Sequence, residues 1–115
     1  MKKISVIARF KIHPGKLDEF KEAAAECLAL VKEKDPATLR YEWFLSGDQT
    51  EGIIFETYET SEAMLAHMNN VGQPLGRLMA IADMSAEVFG DPSPELRQMA
   101  AGMSVPIYAF LQGLG

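Results

Sequence analysis

An alternating strand that passes through a short turn into an amphipathic helix occurs twice in this 115-residue chain, and that doubling constrains the fold more than any other feature. The first unit opens at Lys3. Ile4, Val6, Ala8, Phe10 and Ile12 point one way; Ser5, Ile7, Arg9 and Lys11 point the other. Pro14-Gly15 makes the turn. From Lys16 to Lys34, Leu17, Phe20, Ala24, Cys27, Leu28 and Val31 recur at helical spacing. Asp35-Pro36 ends the helix, because the residue before a proline avoids helical geometry.

The second unit begins with a hairpin. Thr38 to Ser46 alternates Leu39, Tyr41, Trp43 and Leu45 against Arg40, Glu42 and Phe44, and Gly47 to Thr50 is the turn. The next strand sets Ile53, Phe55 and Thr57 opposite Ile54, Glu56 and Tyr58. Thr60 or Ser61 caps a helix that carries Glu62 in its first turn. Met64, Met68, Val71, Leu75, Leu78 and Met79 form its apolar stripe, with His67 on the border. A break is expected near Gly72, with Pro74 opening a second short helix. A strand from about Met84 to Gly90 closes the unit.

The order β-α-β-β-α-β predicts an α+β, ferredoxin-like split βαβ fold: an antiparallel four-stranded sheet with both helices on one face. Residues 1–90 read as that domain and 91–115 as a C-terminal extension packed on it or on a dimer seam. In the extension, Ser93 caps and Pro94 opens a short helix ending at Gly102. Val105 to Leu111 reads as an edge strand, since Pro106 excludes a central position. Large apolar groups lie on both faces of the hairpin: Phe44 opposes Tyr41 and Trp43, and Ile53 and Phe55 oppose Ile54 and Tyr58. Covering the helix-free face with a second copy gives a homodimeric α+β barrel; scattered surface hydrophobes on a monomer are the alternative.

A net charge of −5 and a pI near 5.0 disfavour nucleic acid and anionic membranes as partners. No apolar run approaches the ~18 residues of a membrane span. The basic start is interrupted by Arg9 and Lys11, so no signal peptide is expected. One cysteine fits a reducing, cytoplasmic setting. His13, His67 and Cys27 have no metal-ligand spacing, and Lys16 after Pro14-Gly15 is not a phosphate loop, so neither metal nor cofactor is expected.

Of the two histidines, His13 lies in a turn and His67 on a helix that borders the core. His67 is therefore the first candidate for neutral-pH acid–base chemistry; the plainer reading is a boundary histidine bonded to a carbonyl or to a carboxylate such as Glu56. Tyr41 and Trp43 share a strand face and can clamp an aromatic ligand or simply pack. Tyr58, with Glu56 on the same face of its strand, has the same two readings. Arg9, a charge within an apolar strand, can hold an anion or form a salt bridge with Glu42 or Glu56. Cys27 reads as a core thiol.

The segment Arg9-Phe10-Lys11-Ile12-His13-Pro14-Gly15-Lys16-Leu17-Asp18-Glu19-Phe20 resembles the V-x-P-G-x-x-x-x-F opening of the antibiotic biosynthesis monooxygenase domain family. Phe55 to His67 resembles its E-x-[YW]-x-[ST/D]-x-x-A-x-x-x-H motif. The resemblance covers about Ile4 to Gly90. It implies a homodimeric ferredoxin-like barrel, some of whose relatives oxygenate phenolic or quinol substrates without metal or flavin while others degrade haem. Gly72 stands where many members carry a second histidine. The first strand has no Asn, and Trp43 lies on the second strand, which argues against the haem-degrading branch. The function implied is a cofactor-independent monooxygenase acting on a small aromatic or quinol-like substrate. His67 would be its catalytic base, with Arg9, Tyr41, Trp43 and Tyr58 contacting the substrate. The alternative is a non-catalytic ligand-binding or interaction module on the same barrel.

Overall fold

The computed structural model describes residues 2–114; Met1 and Gly115, which fall within the expected domain limits, lie outside the described residues. The elements follow the expected order: β1 (Ile4–Ile12), α1 (Leu17–Lys34), β2 (Thr38–Leu45), β3 (Glu51–Tyr58), α2 (Ser61–Asn70), α3 (Gly72–Ile81) and β4 (Ala82–Phe89). The extension adds α4 (Pro94–Gly102) and β5 (Ile107–Tyr108). The strands lie in the order β2-β3-β1-β4-β5. β1 is antiparallel to both β3 and β4, and β2 is antiparallel to β3, which is the split βαβ arrangement.

Strand register sorts the side chains. Ile4, Val6, Ala8 and Phe10 of β1 lie beside Tyr58, Glu56, Ile54 and Gly52 of β3, and these eight face the helices. Tyr41 and Trp43 of β2 pair with Glu56 and Ile54, so they join the same face. Gly52 is needed there: a Cβ on it would lie 2.4 Å from Cζ of Phe20, whose ring packs edge-on to Phe10 and Trp43. On α1 it is Ala23, not Ala24, that is buried with Phe20, Cys27 and Val31. The hairpin is tied by Asp48, whose Oδ1 accepts from the Ser46 and Thr50 hydroxyls and the Thr50 amide at 2.7, 2.8 and 3.1 Å.

Two elements start two residues earlier than the sequence expectation. α3 starts at Gly72, which places Pro74 in its first turn, where a missing N–H leaves no bond unmade. β4 starts at Ala82, two residues early, because Ile12 continues β1 far enough to pair with it.

β5 is shorter than Val105 to Leu111. It runs parallel to β4 because α4 carries the chain back across the sheet before it re-enters. Pro106 precedes the strand and accepts from the Val88 amide at 3.0 Å. Gly90 at φ +125° turns β4 away, so the chain after Tyr108 has no strand to pair with, and Leu111 is 89% exposed. The sheet's other face carries Ile7, Ile53, Phe55, Phe44 and Phe89 with no helix over it; Phe44 is 48% exposed, and Arg40 lies over the Phe55 ring at 4.8 Å. No helix among the described residues is long and apolar enough to cross a membrane.

Candidate functional site

The Thr60 side chain accepts from the Ala63 amide at 3.1 Å and fixes the start of α2. The buried stripe that follows is Met64, His67, Val71, Pro74, Leu78 and Ile81. The sequence reading put His67 at its border and Met79 inside. The structure reverses both: His67 is 3% exposed and Met79 is 53% exposed. Spacing of three and four residues along α2 and α3 runs through the histidine and the proline, two residue types not counted as core in the sequence.

The His67 ring is held at both ends by acids. Its Nδ1 lies 2.8 Å from Asp35 Oδ2, and Asn70 Nδ2 donates to the other Asp35 oxygen. A carboxylate accepts only, so Nδ1 carries the proton and Nε2 presents a lone pair. Nε2 lies 3.6 Å from Glu56 Oε1, too long for a hydrogen bond. The Tyr58 hydroxyl donates to that same Glu56 oxygen. Tyr41 and Tyr58 flank the imidazole with ring centroids at 5.3 and 5.1 Å, and Tyr41 meets Trp43 edge-on at 6.0 Å. Trp43, Tyr41, His67 and Tyr58 thus form a continuous aromatic row. Trp43 and Tyr41 are half-buried on the edge strand β2, Tyr58 is fully buried on β3, and Trp43 Nε1 has no acceptor among the described residues.

Burial dominates the electrostatics. It lowers the His67 pKa from its ordinary value, and Asp35 opposes the shift only in part, which favours the neutral ring. It raises the Glu56 carboxyl to about 7 against the donation from Tyr58. It also raises both tyrosines, so the phenols stay protonated, and it pushes the Cys27 thiol up to about 11, the state of an inert core sulfur. A buried imidazole between two carboxylates, with phenols around it, can exchange protons with a bound hydroxyl or an acidic C–H bond.

Four of the five sequence candidates, His67, Tyr41, Trp43 and Tyr58, therefore meet on the helix-facing side of the sheet. Arg9 does not join them. As an odd-numbered residue of β1 it lies on the free face, half-exposed, with its Nε 3.5 Å from Glu87. That acid is neither of the two expected partners: Glu56 points to the helices, and Glu42 is two strands away. A depression of about 700 Å³ beside Arg9 is lined by Met79, Met84, Glu87, Met103 and Val105, and none of the aromatic row borders it. Asp35 and Asn70 were not candidates, and Glu56 was weighed only beside Tyr58 and as a carboxylate partner of His67. Asp35 read only as a helix end, and nothing in sequence links it to His67. Glu56 did carry a signal, a charge alternating with Ile54 and Tyr58 on an apolar strand face. No cluster of metal-ligating side chains occurs among the described residues.

The profile of the antibiotic biosynthesis monooxygenase family matches residues 3–73, more than half of the chain. The chain belongs to that family. The match ends just past α2 and so takes in both Glu56 and His67. Solved structures share the fold. MupZ of Pseudomonas fluorescens superimposes with a TM-score of 0.89 at 22% identity, over 100% of this chain and 95% of its own. SnoaB, a cofactor-independent oxygenase from Streptomyces nogalater, superimposes with a TM-score of 0.69 at 16% identity, over 81% of this chain and 96% of its own. The MupZ superposition extends through α4 and β5. No curated protein matches the sequence.

Proposed function

We propose that the chain is a cofactor-independent monooxygenase of small aromatic, quinol-like compounds, with His67 as its base. The observation that carries the reading is the imidazole itself. Burial favours its neutral form, Asp35 orients it at Nδ1, and Nε2 makes no hydrogen bond among the described residues, in an aromatic interior that excludes water. An electron-rich phenol that loses a proton there becomes able to reduce dioxygen. The overall change is SH2 + O2 → SO + H2O: one oxygen atom enters the product as a carbonyl, the other leaves as water, and the substrate supplies both hydrogens and all four electrons. Trp43 and Tyr41, already in edge-on contact with each other, form one aromatic wall against which the substrate ring packs at the sheet edge, and Trp43 Nε1 donates to one of its oxygens. Membership in the family and the activity of SnoaB support the reaction class.

The protein works as a homodimer in a reducing compartment. A second copy covers Ile7, Ile53, Phe55 and Phe44 on the free face of the sheet, burying on the order of 2,000 Å² in total. Light scattering tests this: a 12.7 kDa particle at micromolar concentration refutes it.

Oxygen uptake with a panel of hydroquinones and polyphenols tests the chemistry. Wild type consumes oxygen above the autoxidation control. His67→Gln keeps the fold but loses roughly 10²-fold or more in turnover, together with the acidic limb of the pH profile. An active His67→Gln with an unchanged profile refutes the assignment. A wild type that binds these aromatics without consuming oxygen makes the protein a ligand-binding module instead.

A further inference from the structure

The two acids around His67 face no buried cation among the described residues. Asp35 and Glu56 each form an ion pair only with His67 among the described residues. The other polar groups turned toward the cluster are Tyr58 from β3, Tyr41 from β2, Cys27 from α1 and Asn70 from α2, none of them positive. β1 contributes only the apolar Val6 beside Glu56. Two ionised carboxylates and a neutral imidazole, all buried, are therefore a costly combination, and the cluster retains a proton.

That proton has two homes of equal net charge. It sits on Glu56 with His67 neutral, or on His67 Nε2 with Glu56 ionised. The two heteroatoms are 3.6 Å apart, so neither satisfies the other directly. One oxygen atom placed about 2.8 Å from each would bridge them, a normal hydrogen-bond distance on both sides.

We propose that Glu56 is a second catalytic acid–base residue sharing one proton with His67, and that His67 Nε2 and Glu56 Oε1 together bind one ionisable hydroxyl of the substrate, a phenol or enol, which reaches them by displacing the half-buried Tyr41 ring of the edge strand. The substrate O–H donates to Nε2 and its oxygen accepts from the Glu56 carboxyl. As the proton moves to His67, Glu56 stabilises the oxyanion that forms. Later the pair returns that proton to the oxygen atom that leaves as water, whose second hydrogen is the one lost from the substrate carbon that becomes the carbonyl, so the cluster ends as it began and the atoms balance. Tyr58 holds the Glu56 carboxyl in place, and Asp35 with Asn70 holds the ring, so both reacting atoms are fixed before substrate arrives.

This inference rests on the reading of His67 as the base, but its test needs no turnover and can fail or succeed apart from it. Protein labelled with ¹⁵N-histidine is titrated by NMR, with His13→Gln used to identify the exposed second histidine. In wild type, the His67 Nε2 shift moves in two steps. In Glu56→Gln, which keeps an acceptor for Tyr58 but cannot titrate, the near-neutral step disappears. Identical titrations in the two proteins overturn the shared proton. Should Glu56→Gln not fold, Tyr58→Phe serves: loss of the donor to Glu56 must move the same step upward, and an unmoved step overturns the proposal. The seat is tested with p-nitrophenol, whose visible absorbance reports ionisation. Wild type binds it and raises its ionised fraction, and Glu56→Gln weakens binding at least about tenfold, the scale of one charge-assisted hydrogen bond. Absence of binding at millimolar probe, or equal affinity in both proteins, overturns the seat.

Discussion

Replacing Glu56 by Gln isolates the cost of keeping a titratable acid in the interior. In the folded protein the Glu56 pKa rises from 4.5 to about 7, because burial penalises the carboxylate more than the Tyr58 hydroxyl helps it. A raised acid pKa means that the native state holds the proton more tightly than the unfolded chain does. The associated stability is thus fully present below about pH 4.5 and is lost as pH rises through 7. A difference of between two and three pH units at 1.36 kcal/mol per unit amounts to about 3 kcal/mol. The His67 pKa shifts downward, so its contribution has the opposite sign: it is present above its ordinary value and lost as pH falls. It therefore masks part of the fall in wild type. Because the two groups are coupled, the difference between wild type and Glu56→Gln reports the proton they share, with Glu56 the larger contributor. Urea unfolding of both proteins at equal concentration, at pH values from 4 to 8, measures it. The variant should gain about 3 kcal/mol relative to wild type across this window, or roughly 2 M in urea midpoint for a slope near 1.5 kcal/mol/M. A difference that stays flat with pH refutes the reasoning, because Glu56 would then be ionised or solvated in the native state.

Three further outcomes follow from the packing. Gly52→Ala forces a methyl group into the Phe20 ring, which Phe10 and Trp43 prevent from moving, and should cost about 1–3 kcal/mol in denaturant unfolding. Asp35→Asn removes the charge that favours the His67 imidazolium and should lower the His67 pKa still further, read by histidine NMR; an unmoved titration would mean that Asp35 does not face the ring in solution. Deleting the residues after Gly102 strips β5 from the sheet edge and exposes Val88, and should lower both the melting temperature and the dimer affinity in calorimetry and sedimentation; a truncated protein equal to wild type in both would free the extension of any such role.

The order and type of the elements through Pro94 are legible from local residue patterns alone. Alternation along Ile4 to Ile12 and Ile53 to Tyr58, the helical stripe from Phe20 to Val31 and the stops at Asp35-Pro36 and Gly72 are local properties, and local sterics and hydrogen bonding decide them. The same periodicity put Tyr41 with Trp43, and Glu56 with Tyr58, each pair on one strand face. Residues 3–73 also carry enough of the family pattern to establish membership. What the chain could not state is which strand faces coincide. Two-residue periodicity separates the faces of each strand but is silent on how they align, and only the β1–β3 and β2–β3 registers place Glu56 beside Tyr41 and turn Arg9 to the opposite side.

The acid–base cluster shows the same division most clearly. Asp35 and His67 are 32 positions apart. They meet because α1 ends where α2 begins its second turn, a coincidence of helix lengths that no local pattern encodes. Burial is likewise a property of the assembled molecule. His67 reads as a border residue on an isolated helix and becomes a core residue only when β2 and β3 close over it, and the withdrawal of water at that moment gives Glu56 and His67 the proton affinities on which the proposed chemistry depends.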